Sequence, residues 1–131
     1  MLDVTQVQEM IVKEKISVIS GSTIEKFGCS KIHITEEAIK NTGLKAVVID
    51  CAFFNSGHSV VKSIIETQER DTLIFSNLFQ LNTQKAVETF INFIEKCKFK
   101  IVFLNPKERS INTTIQEFLS KFPSTDFLLS H

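Results

Sequence analysis

The chain has 131 residues, 43% of them hydrophobic and 23% charged, with fifteen basic side chains against fifteen acidic ones. That length can bury a core without metals or disulfides, and the even balance supplies neither the basic face that nucleic acid selects nor a cationic block for an anionic membrane. Twelve Phe with no Trp and no Tyr favour dry packing over the amphipathic rings of recognition surfaces.

Val4, Val7 and Ile11 recur at helical spacing, so residues 1–14 supply an N-terminal helix leading into the core. Residues 16–20 then read as a short strand. Gly21 and Gly28 bracket a polar loop, after which Ile32, Ile34, Ala38 and Ile39 give residues 30–41 a helical period, closed by Gly43 at a C-cap position. The β-branched run at 46–50 suits a strand covered on both faces, as in a parallel sheet. Asn55, Ser56 and Gly57 break the chain before a helix over 59–67 with Val60, Val61, Ile64 and Ile65 on one side. The strand at 72–75 leads to a long helix over 83–97 that buries Val87, Phe90, Ile91 and Ile94. A strand at 100–104, a helix over 111–122 with Ile115, Phe118 and Leu119 inward, and a strand at 127–129 complete the series.

Strand and helix alternate throughout, with no linker and no repeat. The expected architecture is one α/β domain over residues 1–131, a three-layer α-β-α arrangement around a mostly parallel five-stranded sheet. In such sheets ligands sit beyond the C-terminal strand ends, which points to the loops after Ser20, Asp50, Phe75 and Leu104. Cys29, Cys51 and Cys97 are an odd set at wide spacing, fitting neither a disulfide framework nor a metal knuckle. With no basic leader and no long apolar run, the expectation is a cytoplasmic chain without membrane contact.

The order of elements resembles the AAA+ P-loop ATPase core, and within it the central domain of bacterial enhancer-binding transcription activators. The resemblance rests on Val18-Ile19-Ser20-Gly21 ending the first strand, Gly28-Cys29-Ser30 opening the next helix, Val48-Ile49-Asp50-Cys51-Ala52 on the second strand, and residues 71–81 on and after the third. It implies a P-loop NTPase-like fold, with nucleotide-binding positions at Gly21, Gly28 and Ser30 and a polar sensor at Asn105.

The chemistry of that family does not follow its fold here. A phosphate loop needs backbone N–H groups to cradle phosphates, a Lys to neutralise them and a hydroxyl for magnesium. Cys29 stands where the Lys belongs, Gly21 comes two residues early, and Lys31 follows the hydroxyl instead of preceding it, leaving Lys26 as the loop's substitute cation. Ser76 and Asn77 occupy the places of the carboxylates that hold magnesium and polarise water. The expectation is a degenerate, non-catalytic domain that needs no cofactor, turns over no ATP even if it binds it, and works through protein contacts in bacterial transcription-related regulation. Arg70 and Arg109 are the only arginines available to a ring of identical copies, so a homo-oligomer stays open as an expectation.

The C-terminal half also resembles a STAS domain, the anti-sigma-factor antagonist fold. Residues 72–78 match the strand before that family's switch helix, and Asn82-Thr83-Gln84-Lys85 falls where it carries Asp-Ser-Ser-Gly. That resemblance implies a phosphorylatable hydroxyl at Thr83, where phosphate would meet the positive end of a helix. The competing reading makes Asn82 and Thr83 helix N-caps. Strand order separates the two families: an interior first strand fits the AAA+ core, whereas an antiparallel opening pair at one end fits STAS. A third alternative is a nucleotide-binding protein with an unorthodox loop.

Smaller constellations complete the survey. Cys51, His58 and Asp50 have the types of a nucleophile, base and orienter, against the ordinary reading of Cys51 as a buried core thiol. His33, His58 and His131 lie on separate elements, so no metal site is expected. Lys96, Lys98 and Lys100 beside Phe99 suggest either single-stranded nucleic acid or cations at a helix end.

Overall fold

The computed structural model describes residues 4–21, 43–56, 58–66, 71–106 and 110–127. The positions 28, 29 and 30 of the phosphate-type loop, its Lys26 and Lys31, and the helix expected at 30–41 lie outside the described residues. Helix α1 (Val4–Lys13) leads into strand β1 (Ile16–Gly21), and β2 (Ala46–Asp50) runs into a 3-10 helix over Cys51–Ser56. Helix α2 (His58–Glu66), strand β3 (Thr72–Ser76), a short 3-10 helix at Leu78–Gln80 and helix α3 (Gln84–Lys96) follow. Strand β4 (Lys100–Pro106), helix α4 (Thr113–Leu119) and strand β5 (Ser124–Phe127) end the described chain.

The five strands form one sheet in the order β2-β3-β4-β1-β5, and every pairing is parallel. β1 is interior, with Ser20 opposite Asn105 on β4 and opposite Asp126 on β5. The antiparallel opening pair that a STAS arrangement requires is absent among the described residues.

Alternation along the strands builds two cores. Val18, Val47, Ile49, Leu73, Phe75, Ile101 and Phe103 face α2, α3 and α4, which contribute Val61, Ile65, Val87, Phe90, Ile94, Ile115 and Phe118. Ile19, Ile74, Val102 and Leu104 face the other way and meet Ile11 of α1. Helices therefore cover both faces, giving the expected three layers. The rings of the larger core interlock: Phe90 meets Phe54 edge-on at 5.2 Å and Phe75 at 5.6 Å, and lies 5.7 Å from Phe103 and 6.4 Å from Phe118. Edge-to-face pairs of this kind add to the burial of each ring.

Several expectations need correction. β2 is an edge strand: Val47 and Ile49 are buried in the larger core while Ala46 and Val48 are half-buried against the smaller one, so its cover on the second face is only partial, whereas β3 is buried at all five positions. β5 begins at Ser124, three residues before the expected start at 127, because an edge partner for β1 is chosen by backbone pairing and needs no apolar run; residues 128 and 129 lie outside the described residues. α4 is shorter than 111–122, as Asn112 caps it by accepting a hydrogen bond from the Thr114 amide at 2.8 Å. Lys100 belongs to neither a nucleic-acid patch nor the end of α3. Its Nζ donates to the carbonyls of Ile11, Val12 and Glu14 at 2.6, 3.1 and 3.1 Å, closing the C-terminal end of α1 and fixing that helix to the sheet.

Candidate functional site

The C-terminal edge of the sheet holds Gly21, Asp50, Ser76, Asn77 and Asn105, and its polar side chains form two pairs. The first joins the two central strands. Ser20 and Asn105 follow the inward residues Val18 and Phe103 by two, so both project toward the α2–α4 side, and the Asn105 Nδ2 donates to the Ser20 Oγ at 3.3 Å. Gly21 is the last residue of β1, opposite Pro106. Asn105 thus pairs with a neighbouring strand and does not act merely as a turn former before Pro106.

The second pair lies on β2 and β3. Asp50 ends β2 beside Ser76, and the carboxylate accepts from the Ala52 amide at 2.9 Å through Oδ1 and from the Asn77 side chain at 3.0 Å through Oδ2. The first bond turns the chain into the Cys51–Ser56 helix; the second spans the strand ends. Asn77 has φ 57° and ψ 48°, a left-handed backbone that Asn tolerates better than most residues, and this conformation ends β3 and begins the Leu78–Gln80 helix. Ser76 is buried and donates to the Ile49 carbonyl at 3.5 Å.

The edge therefore carries a carboxylate, but on β2 instead of β3, and two of its acceptor positions are already engaged. Ser76 and Asn77 close β3 with no acidic group, as the sequence implies. By strand alternation Asp50 and Ser76 fall on the α1 side and Ser20 and Asn105 on the other, so the structure does not gather the two pairs into one cluster. Sequence reasoning missed the Asp50–Asn77 bond. Its only signal was a polar residue directly at the end of each of two strands, 27 positions apart.

Thr83 is the N-cap of α3, with its hydroxyl accepting from the Ala86 amide at 3.1 Å. The capping role is thus present at this exposed residue. Cys51 is fully buried, and burial, followed by the negative charge of Asp50, pushes its thiol well above the ordinary range. A thiolate nucleophile there is disfavoured on both counts. Among the described residues no three His, Cys, Asp or Glu come together as a metal-binding group. No helix among them is long and apolar enough to cross a membrane.

No known protein family matches the sequence, and no curated protein matches it. Solved structures do. A replication initiator DnaA bound to AMPPCP and single-stranded DNA superposes with a TM-score of 0.63 at 10% identity, over 97% of this chain and 44% of that one. AMPPCP-bound DnaA from Aquifex aeolicus gives a TM-score of 0.63 at 14% identity, over 96% and 45%. A DNA replication initiation factor gives 0.60 at 15% identity, over 96% and 45%. The chain spans a little under half the length of these neighbours. At such identities the likeness is one of fold: a parallel α/β sheet flanked by helices, as in these initiators.

Proposed function

We propose that the chain is a degenerate AAA+-like domain that hydrolyses no nucleotide and acts by binding another protein. The observation that carries this reading is the end of β3, where Ser76 and Asn77 stand in place of carboxylates while the nearest acid, Asp50, is held by hydrogen bonds from Ala52 and Asn77. With no unengaged carboxylate at the end of β3 among the described residues, neither magnesium nor an attacking water has its usual partner there. The sheet order and the interior β1 support descent from a P-loop fold in which the phosphate-binding charge has been replaced by Cys29. The expected transcription-related role stays part of the proposal, and the likeness to replication initiators adds replication initiation as a second regulatory setting to it.

Purified full chain with magnesium and ATP should release phosphate at the rate of buffer alone. Turnover that disappears in Ser30→Ala would contradict the reading.

One observation favours a second reading, a protein that binds nucleotide without turnover: two of the neighbours carry AMPPCP, and Gly21 ends the interior strand where such a loop begins. Calorimetry with ATP, GTP and their diphosphates separates the two, since heat of binding without phosphate release supports the second.

A further inference from the structure

At the opposite end of the molecule from Asp50 and Asn77, the C-terminal turns of α2 and α3 and the following segment enclose a hollow of about 390 Å³. Its floor is apolar: Ile65 is buried, and Phe93, Cys97 and Phe99 are half-buried. A second hollow of about 250 Å³ runs on along α3 past Thr89 and Asn92, sharing Phe93 and Lys96 with the first. Thr89, Asn92, Phe93 and Lys96 stand at i, i+3, i+4 and i+7, so one stripe of α3 lines two successive depressions. Two side-chain-sized hollows in series along a helix are the footprint that an amphipathic helix fills with its own i and i+3/i+4 residues.

The charge of the rim selects among occupants. The protein is neutral as a whole, yet among the described lining residues the groove is bordered by the exposed Lys62, Lys96 and Lys98 against Glu66. From this we infer that the α2–α3 groove docks an amphipathic helix of a partner protein, its apolar face on Phe93 and Ile65 and its flanks carrying Asp or Glu opposite the lysines. The inference rests on the reading of the chain as a protein-binding domain and names the surface and chemistry by which it binds. An apolar floor flanked by cations suits such a helix better than single-stranded nucleic acid, which asks for open ring faces on which bases can stack.

The test is an amide-resolved NMR titration of the 15N-labelled full chain with two short amphipathic helical peptides that share an apolar face, one flanked by Glu and the other by Lys. The Glu peptide should shift the amides of residues 62–66 and 89–99, and the Lys peptide should leave them in place. Lys96→Glu with Lys98→Glu, both at exposed positions and checked for an unchanged fold by the amide spectrum outside the groove, should weaken the Glu peptide about tenfold and bring in the Lys peptide. Unmoved groove amides, equal binding of the two peptides, or an oligothymidylate that competes for the groove would each overturn the inference. So would groove shifts that appear on concentrating the protein alone, which would make a second copy the occupant. Shifts confined to residues near Asp50 and Asn77 would overturn the groove and leave the protein-binding reading standing, whereas ATP turnover would remove that reading without altering the titration.

Discussion

The two faces of the sheet are held by different means. Toward α2, α3 and α4 the contact is a continuous apolar layer in which Phe54, Phe75, Phe90 and Phe103 interlock and many small contacts share the stabilisation. Toward α1 the apolar contribution among the described residues is a handful of aliphatic side chains around Ile11, and the helix is tied down by the ammonium of Lys100 on three carbonyls. On that same side the buried hydroxyls of Ser17 and Thr72 have no hydrogen-bond partner, a penalty that the Phe face avoids by having few polar groups to bury. An apolar face tolerates the loss of any one contact in proportion to its size, while a face fixed by one polar clamp concentrates its dependence in a single residue.

That contrast is open to attack, beginning with the largest effect. Phe90→Ala should lower stability by about 3–5 kcal/mol in urea unfolding, since the ring sits among four others and its removal leaves a cavity. Lys100→Met should lower it by about 1.5–3 kcal/mol, the range for hydrogen bonds to a charged group, and should speed amide exchange in α1 before the rest of the chain. If α1 exchanges no faster in that variant, the clamp is not what holds the helix; if Lys100→Met outweighs Phe90→Ala, the ranking of the faces is inverted.

Smaller effects sharpen the picture. Thr83→Ala should remove about 1 kcal/mol by uncapping α3, and Thr83→Gly only a few tenths, a difference that a hydroxyl without a capping role would not show. Thr72→Val should raise stability by about 1 kcal/mol, as it removes a buried hydroxyl that pairs with nothing. A further effect is one of pH. The folded pKa of Cys51 is raised, so below the ordinary thiol value the group is protonated in both states and its contribution is fully present. As pH climbs past about 8.5 only the unfolded chain loses the proton, and stability should fall by about 0.8 kcal/mol at pH 9. Cys51→Ala should flatten that decline; a slope that survives it would assign the titration to another group.

How much of this was legible in the sequence depends on how far apart the partners lie. β2, β3 and the start of β4 were found at or within a residue of their observed ends, because β-branched and aromatic runs report burial locally. The series of parallel crossovers then made the α/β sheet predictable. Position in the sheet was not legible: the run on β2 reports a covered strand of a parallel sheet and does not say that it lies at an edge. The last strand starts three residues before Phe127, where Ser124 and Thr125 carry no apolar signal and the backbone pairing offered by β1 decides. The Cys51–Ser56 helix was hidden behind a turn-forming Asn-Ser-Gly, and its cause, the Asp50 carboxylate on the Ala52 amide, is a two-residue contact of a kind that many loops share. Lys100 and its carbonyls are separated by 86 to 89 residues, and no pattern in the chain announces that pairing. At the candidate site the missing Lys and acids were readable residue by residue, whereas the Asp50–Asn77 bond required knowing that β2 and β3 are neighbours.

On the proposed reading the sheet edge hydrolyses no nucleotide, and Asp50 serves the structure through its bonds from Ala52 and Asn77. Phosphate release from ATP, measured in parallel for the unaltered chain and for Asp50→Asn, tests it most directly. Both should match buffer alone. Release by the unaltered chain that is lost in a folded Asp50→Asn variant would show that the β2 carboxylate does the work of the acids missing from β3, and would contradict the claim.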